Sequence, residues 1–217
     1  MTSPTQTTGL DIDETSESAV EWLKQHGRQV GIGVIVVVAL AGVFWVVRAQ
    51  NAGNEATASR QLVAAQRSVG AGNLPLAAAD LHKLVDRYGS TRSGTEAKVL
   101  LAQVELQQGK TTEAMKVLDE IGSGGPTAAS VHALRAAALE QTGKPAEAAA
   151  EYLKAAAANQ LQGEAESLRA DAARAWVAAG KKDEALKIWR DMAGNPSSVL
   201  YNEALLRVGE LTAEVVR

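Results

Sequence analysis

The chain has 217 residues, of which 46% are hydrophobic but only 4% aromatic, and it contains no cysteine. The lack of cysteine excludes disulfides and thiolate metal sites, and an alanine-rich, aromatic-poor composition favours packed helices over sheets. The formal net charge of −3 arises in residues 1–29, which hold five acidic and two basic side chains, so the remainder carries 20 of each sign. This balance gives the remainder no net attraction to nucleic acid or anionic lipid.

Residues 30–47 read VGIGVIVVVALAGVFWVV and contain no charged side chain. At about 1.5 Å per residue such a helix reaches roughly 27 Å, close to the hydrocarbon thickness of a bilayer. Trp45 and Arg48 lie at one end, where an indole and a guanidinium fit the interface. We predict a transmembrane helix over 30–47, an acidic and disordered tail over 1–29, and a linker over 48–57.

Two alternatives compete with the membrane anchor. A buried core helix would need covering on all sides, and nothing else in the chain can supply that cover. A cleaved signal peptide would have a shorter apolar run and a basic leading segment, whereas this run starts 29 residues into the chain behind an acidic tail. The basic residues on the two sides of the span do not decide its orientation.

Glycine turns recur in the rest of the chain, which shows no alternating strand pattern. The turns lie at Gly72, Gly109, Gly143 and Gly180, spaced by 37, 34 and 37 residues. Alanine occurs seven residues before and five residues after each glycine, and a large apolar residue occurs nine after it. These packing positions are Ala65, Ala77, Leu81, Ala102, Ala114, Leu118, Ala136, Ala148, Tyr152, Ala173, Ala185 and Trp189.

This pattern predicts helical hairpins that stack through small side chains at the helix crossings. It resembles the tetratricopeptide repeat, although the early tryptophan of that repeat is missing throughout. We therefore predict an all-α fold over 58–217, a TPR-like α-solenoid of about four hairpins. A last helix within 199–216 has Leu200, Ala204, Val208 and Leu211 on one face, and we predict that it caps the stack.

No arrangement of reactive side chains indicates an enzyme. His26, His82 and His132 lack metal-ligand spacing, and we interpret His82 and His132 as solvated surface residues. The glycine-rich stretch 122–126 lacks the lysine of a phosphate-binding loop and reads as a turn between helices. Glu113, Lys116, Glu147 and Lys154 read as solvated helix faces. We predict no catalytic residue, no metal, no cofactor, no small-molecule substrate and no nucleic-acid partner.

The first helix of each hairpin offers a surface for a polypeptide. By the repeat register, a protein-binding groove would be lined by glutamines and mixed charges, which suit hydrogen bonding to a peptide. The predicted groove residues are Gln66, Glu96, Gln103, Gln107, Gln141, Asp171 and Arg174.

The layout of acidic tail, Glu21-Trp22-Leu23-Lys24 approach, His26-Gly27, single span and helical repeats resembles the YfgM-like ancillary subunit of the bacterial SecYEG translocon. That resemblance implies an inner-membrane protein whose tail 1–29 lies in the cytoplasm and whose repeat domain lies in the periplasm. The partners it implies are the translocon and periplasmic chaperones. The function implied is an accessory factor that links the Sec translocon to chaperones or emerging chains. The alternative is a structural accessory subunit of another bacterial membrane complex.

Overall fold

A computed structural model describes residues 40–42, 44–45 and 48–213, and these are helical or in short turns, without a strand among them. The chain divides into two compact units, 1–53 and 54–217. In the first unit the described residues are all helical. Most of the predicted span 30–47 and the whole tail 1–29 lie outside the described residues. Within the part that is described, no helix is both long enough and apolar enough to cross a bilayer.

The second unit contains nine helices among its described residues, joined by short turns. Helical residues 54–70 form α1, so part of the predicted linker 48–57 belongs to the repeat domain as its first helical turn. The remaining helices are α2 (Leu74–Tyr88), α3 (Arg92–Gln107), α4 (Thr111–Ile121), α5 (Ala128–Gln141), α6 (Pro145–Ala158), α7 (Gln162–Ala178), α8 (Lys182–Ala193) and α9 (Tyr201–Ala213).

Four hairpins follow from four equivalent turns. The glycines at 72, 109, 143 and 180 have φ between +73° and +75°, a left-handed conformation that glycine adopts without steric cost. The amide after each glycine donates to the carbonyl five residues earlier at 2.8–2.9 Å, which satisfies a free carbonyl of the helix end. The pairs α1–α2, α3–α4, α5–α6 and α7–α8 are therefore equivalent units, as the spacing predicts.

Local sequence also explains where second helices begin. Pro75 and Pro145 lie in the first turns of α2 and α6, where a missing amide costs nothing. Asn73 accepts a hydrogen bond from the amide of Leu76 at 3.2 Å and so caps α2. The stretch 122–126 is a turn between α4 and α5, as predicted.

The core is a series of four clusters, and each joins one hairpin to the next helix. The first cluster contains α1, α2 and α3, the second α3, α4 and α5, and the third α5, α6 and α7. The fourth joins α7 and α8 to α9 through Trp189, Met192, Ala204 and Leu211. The predicted face of the last helix thus packs on the fourth hairpin, and α9 ends the described stack.

All twelve packing positions inferred from the repeat are buried. Eleven are fully inaccessible and the twelfth, Tyr152, is 9% exposed, while its hydroxyl donates to Glu140 Oε2 at 2.9 Å. Each alanine seven residues before a glycine lies in a cluster with residues of its own second helix, as Ala102 does with Ala114 and Leu118. Small side chains at this point let the two helices approach closely.

Candidate protein-binding surface

One face of the first helices carries the predicted groove residues. These residues lie 13, 9, 6 or 2 positions before the turn glycine, and such positions fall on one side of an α-helix. Gln66, Glu96, Gln103, Gln107, Gln141 and Arg174 are exposed there and Asp171 is half-buried. We call this surface the groove face.

The groove face also contains apolar residues that the sequence pattern did not indicate. Nine residues before the turn glycine lie Val63, Leu100 and Leu134, of which Val63 is 43% exposed and the two leucines are half-buried. The register that locates the glutamines also locates these side chains. The face therefore combines an apolar strip with flanking amides, which suits both the side chains and the backbone of a polypeptide.

Gln141 is held by contacts inside the fold. Its Nε2 donates to the carbonyl of Leu106 at 3.1 Å, and its Oε1 accepts from Thr111 Oγ1 at 2.8 Å. Gln141 thus joins the second hairpin to the third. Because both its Nε2 and its Oε1 are hydrogen-bonded within the fold, Gln141 is less suited to binding a ligand than Gln103 or Gln107.

Asp171 and Arg174 come together at the last hairpin. Arg174 donates to Asp171 Oδ1 and to Glu203 Oε1 on α9, both at 2.6 Å. Its guanidinium lies 5.8 Å from the centre of the Trp189 ring. Burial alone would lower the pKa of Arg174, but the two carboxylates outweigh it and raise that pKa. Arg174 therefore links α7 to α9 through an ion pair with Glu203.

A cleft between α7, α8 and α9 lies beside Arg174. Its lining includes Val177, Trp189, Arg207 and Leu211. The indole Nε1 of Trp189 is buried and has no acceptor among the described residues. The cleft therefore borders the groove face at Arg174, which also lines it.

Both histidines of the repeat domain pair with a glutamate of a neighbouring helix. His82 is 54% exposed, and its Nε2 lies 3.2 Å from the buried Glu105, whose pKa burial raises. His132 is only 14% exposed, and its Nδ1 lies 2.6 Å from Glu151 Oε2. The interpretation of His132 as a solvated surface residue is wrong, because the α5–α6 contact covers the ring.

Glu113, Lys116, Glu147 and Lys154 are exposed, as predicted.

Two glutamates accept hydrogen bonds from residues at the starts of α3 and α9. Glu55 accepts from the hydroxyl of Ser93 at 2.6 Å and from its amide at 3.2 Å. Glu166 accepts from the hydroxyl of Ser198 at 2.7 Å and from the amide of Val199 at 2.9 Å. Hydrogen bonds from Ser93 and Ser198 lower the pKa of Glu55 and Glu166 respectively, although burial opposes this. These contacts link α1 to α3 and α7 to α9.

Metal chemistry has no obvious site in residues 48–213. No group of three or more His, Asp or Glu side chains there is arranged to hold an ion. The described surface is thus an array of hydrogen-bonding and apolar side chains on stacked hairpins.

Stacked antiparallel hairpins with a repeated small-residue crossing define an α-solenoid, a class of proteins whose repeats typically bind other proteins. A family model described as a tetratricopeptide repeat-like domain matches residues 20–195. This match covers most of the chain, and the chain belongs to that family. A search of curated proteins finds no match. Domains of this family are typically interaction modules without catalytic activity.

Proposed function

We propose that the protein is a membrane-anchored scaffold that binds polypeptides along the groove face. The observation that carries the proposal is the separation of roles on the first helices. The sides toward neighbouring helices are closed by the four core clusters, whereas the groove face leaves Gln103, Gln107 and the apolar Val63 exposed. A face with amides beside apolar side chains can bind a chain of varied sequence.

The resemblance to the YfgM-like subunit supports a more specific role. In this proposal residues 30–47 anchor the chain in the bacterial inner membrane, residues 1–29 lie in the cytoplasm, and the repeats lie in the periplasm. The scaffold then serves the Sec translocon and passes emerging chains to periplasmic chaperones. The apolar run and the repeats that follow it support this layout.

Substitution on the groove face tests the binding proposal. The probe is fluorescent, reduced and carboxymethylated lactalbumin, a permanently unfolded polypeptide, titrated onto the full chain in lipid nanodiscs. Replacing Gln103 by glutamate should weaken binding several-fold, because the new carboxylate repels the anionic, carboxymethylated chain at the face. Gln160→Glu, which adds the same charge at an exposed loop position off the face, is the matched control. Equal affinity for all three proteins would refute binding at this face.

Labelling of single cysteines tests the proposed orientation. The natural chain has none, so Thr5→Cys and Ala150→Cys each create one unambiguous reporter. In spheroplasts, a membrane-impermeant maleimide should label position 150 and leave position 5 unmodified. The reverse pattern would contradict a periplasmic repeat domain.

Co-purification tests the partner. Mild detergent extraction of tagged full-length chain should recover translocon subunits in fixed proportion. Recovery of a different complex in fixed proportion would replace the translocon role with that of an accessory subunit elsewhere.

A further inference from the structure

Helix α9 has the register of a first helix of a fifth hairpin. In α3 and α7, the residues directed at the preceding hairpin are spaced by four and then three, at 97, 101, 104 and at 168, 172, 175. In α9 the residues in the fourth cluster are Ala204, Val208 and Leu211, with the same spacing. This alignment assigns an equivalent position to every other residue of α9.

Two of those positions are covered in the four complete hairpins. The crossing position, occupied by Ala65, Ala102, Ala136 and Ala173, is fully buried against the second helix of the same hairpin. Its equivalent in α9 is Gly209, the smallest residue possible. The position three residues earlier, occupied by Leu62, Val99, Ala133 and Ala170, is buried or half-buried. Its equivalent is Leu206, which is 59% exposed.

At a third position, α9 has an apolar residue where three of the first helices have a basic one. Eleven residues before the turn glycine, three first helices carry a basic side chain that pairs with an acid on their own second helix. The pairs are Lys98–Glu120 at 3.1 Å, His132–Glu151 at 2.6 Å and Arg169–Asp191 at 2.5 Å. The equivalent residue in α9 is Leu205, which is 48% exposed. A helix covering α9 would therefore need an apolar residue where the chain's own second helices carry an acid.

The other end of the stack has a different surface. In α1 the positions that face a preceding hairpin are occupied by Arg60, Ala64 and Arg67, and all three are exposed. Two arginines suit water, and polar outer faces are what terminal repeats need for solubility. The face of α9 formed by Leu205, Leu206, Gly209 and Ala213, which we call the α9 face, has no such charge.

We propose that the α9 face binds an amphipathic helix of a partner protein, which completes a fifth hairpin. The bound helix has alanine at the crossing with Gly209 and a large apolar residue four positions later, as α4, α6 and α8 have. It differs from them by an apolar residue toward Leu205. The new contact continues the hairpin interface already present four times in the stack. It is separate from the groove face and does not depend on it.

A peptide with the sequence of α6 provides the probe. Fluorescent peptides of residues 144–158 keep Ala148 and Tyr152 at the required spacing, either with the natural Glu151 or with Glu151→Leu. The full chain in nanodiscs should bind the Glu151→Leu peptide about tenfold more tightly than the natural peptide, because a glutamate opposite Leu205 would be desolvated without a partner.

Two glycine variants locate the contact. Gly209→Gln places a long side chain at the crossing and should weaken binding of the leucine peptide by about tenfold. Gly163→Gln makes the same change at an exposed glycine of α7 and should leave affinity unchanged. Glutamine is a better helix former than glycine, so both variants keep the helix, which circular dichroism verifies.

Three results would overturn the proposal. The first is equal affinity of the two peptides, and the second is equal effect of the two glycine substitutions. The third comes from sedimentation: a dimer of the chain that Gly209→Gln dissociates would show that a second copy occupies the face. Binding of unfolded lactalbumin should be the same in Gly209→Gln as in the natural chain, so failure of this proposal is distinguishable from failure of the groove.

Discussion

The turn glycines show how single residues set the repeat. At Gly143, φ is +73°, and a Cβ built there meets nothing within 4 Å among the described residues. The requirement for glycine is therefore one of backbone conformation and not of space. The same holds at positions 72, 109 and 180, so four residues define the four hairpins.

Gly143→Ala should therefore destabilise the repeat domain by about 1 kcal/mol, since a left-handed alanine costs roughly that much. Gly163→Ala, within the helical conformation of α7, should instead be neutral or stabilise by up to about 1 kcal/mol. Urea unfolding followed by circular dichroism measures both. A loss of stability at position 163 as large as at 143 would contradict the conformational explanation.

The roles of the turn glycines and the crossing alanines can be predicted from the sequence, because the features that determine them are local or periodic. The glycines and alanines recur at fixed offsets, so their roles are readable without coordinates. The roles of Glu55 and Glu166 are not readable in this way, because their serine partners lie 38 and 32 residues away and only the packing of first helices joins them. The prediction for His132 is wrong for the same reason, since Glu151 reaches it from another helix.

Helix crossings are the main determinant at the scale of the elements. Ala136 is fully buried between α5 and α6, beside Ala148 and Tyr152. Ala136→Leu should destabilise by about 1–3 kcal/mol, because extra methyl groups force the pair apart. Ala150→Leu, on the exposed side of α6, should change stability by less than about 0.5 kcal/mol. Comparable losses for the two variants would show that the crossing tolerates larger side chains.

The attachment of α9 depends on the ionised form of Glu166. Its pKa is held below the usual 4.5 by hydrogen bonds from Ser198 and Val199, so the folded state binds fewer protons than the unfolded state near that pH. This contribution is fully present above the usual pKa and is lost as pH falls through the lowered one.

Glu166→Gln should consequently cost about 1–3 kcal/mol at pH 7, and the difference from the natural chain should shrink as pH falls below 4.5. Urea midpoints measured from pH 7 to pH 3 report this difference. Glu164→Gln, at an exposed position in the same helical turn, controls for loss of charge on α7. A pH-independent difference would mean that the carboxylate acts only through its shape.

At the scale of the whole repeat domain, the core clusters form a linear series along the chain. Each cluster contains one hairpin and the following first helix, so neighbouring clusters share a helix while distant clusters share none. Sequence could predict this order from the period alone. It could not predict that α9 repeats the register of a first helix, because the turn glycine that marks every other first helix is missing there.

This arrangement predicts that a destabilising substitution in one cluster affects only the helices of that cluster. Trp189 is fully buried in the fourth cluster, and Trp189→Ala should cost about 3–5 kcal/mol. In a stack stabilised by nearest neighbours, that loss acts on α7, α8 and α9. Hydrogen exchange should show reduced amide protection in these helices and unchanged protection around Leu81 and Leu101 in the first cluster. Leu81→Ala should give the opposite distribution, and uniform loss of protection in either variant would show that the hairpins unfold as one cooperative unit.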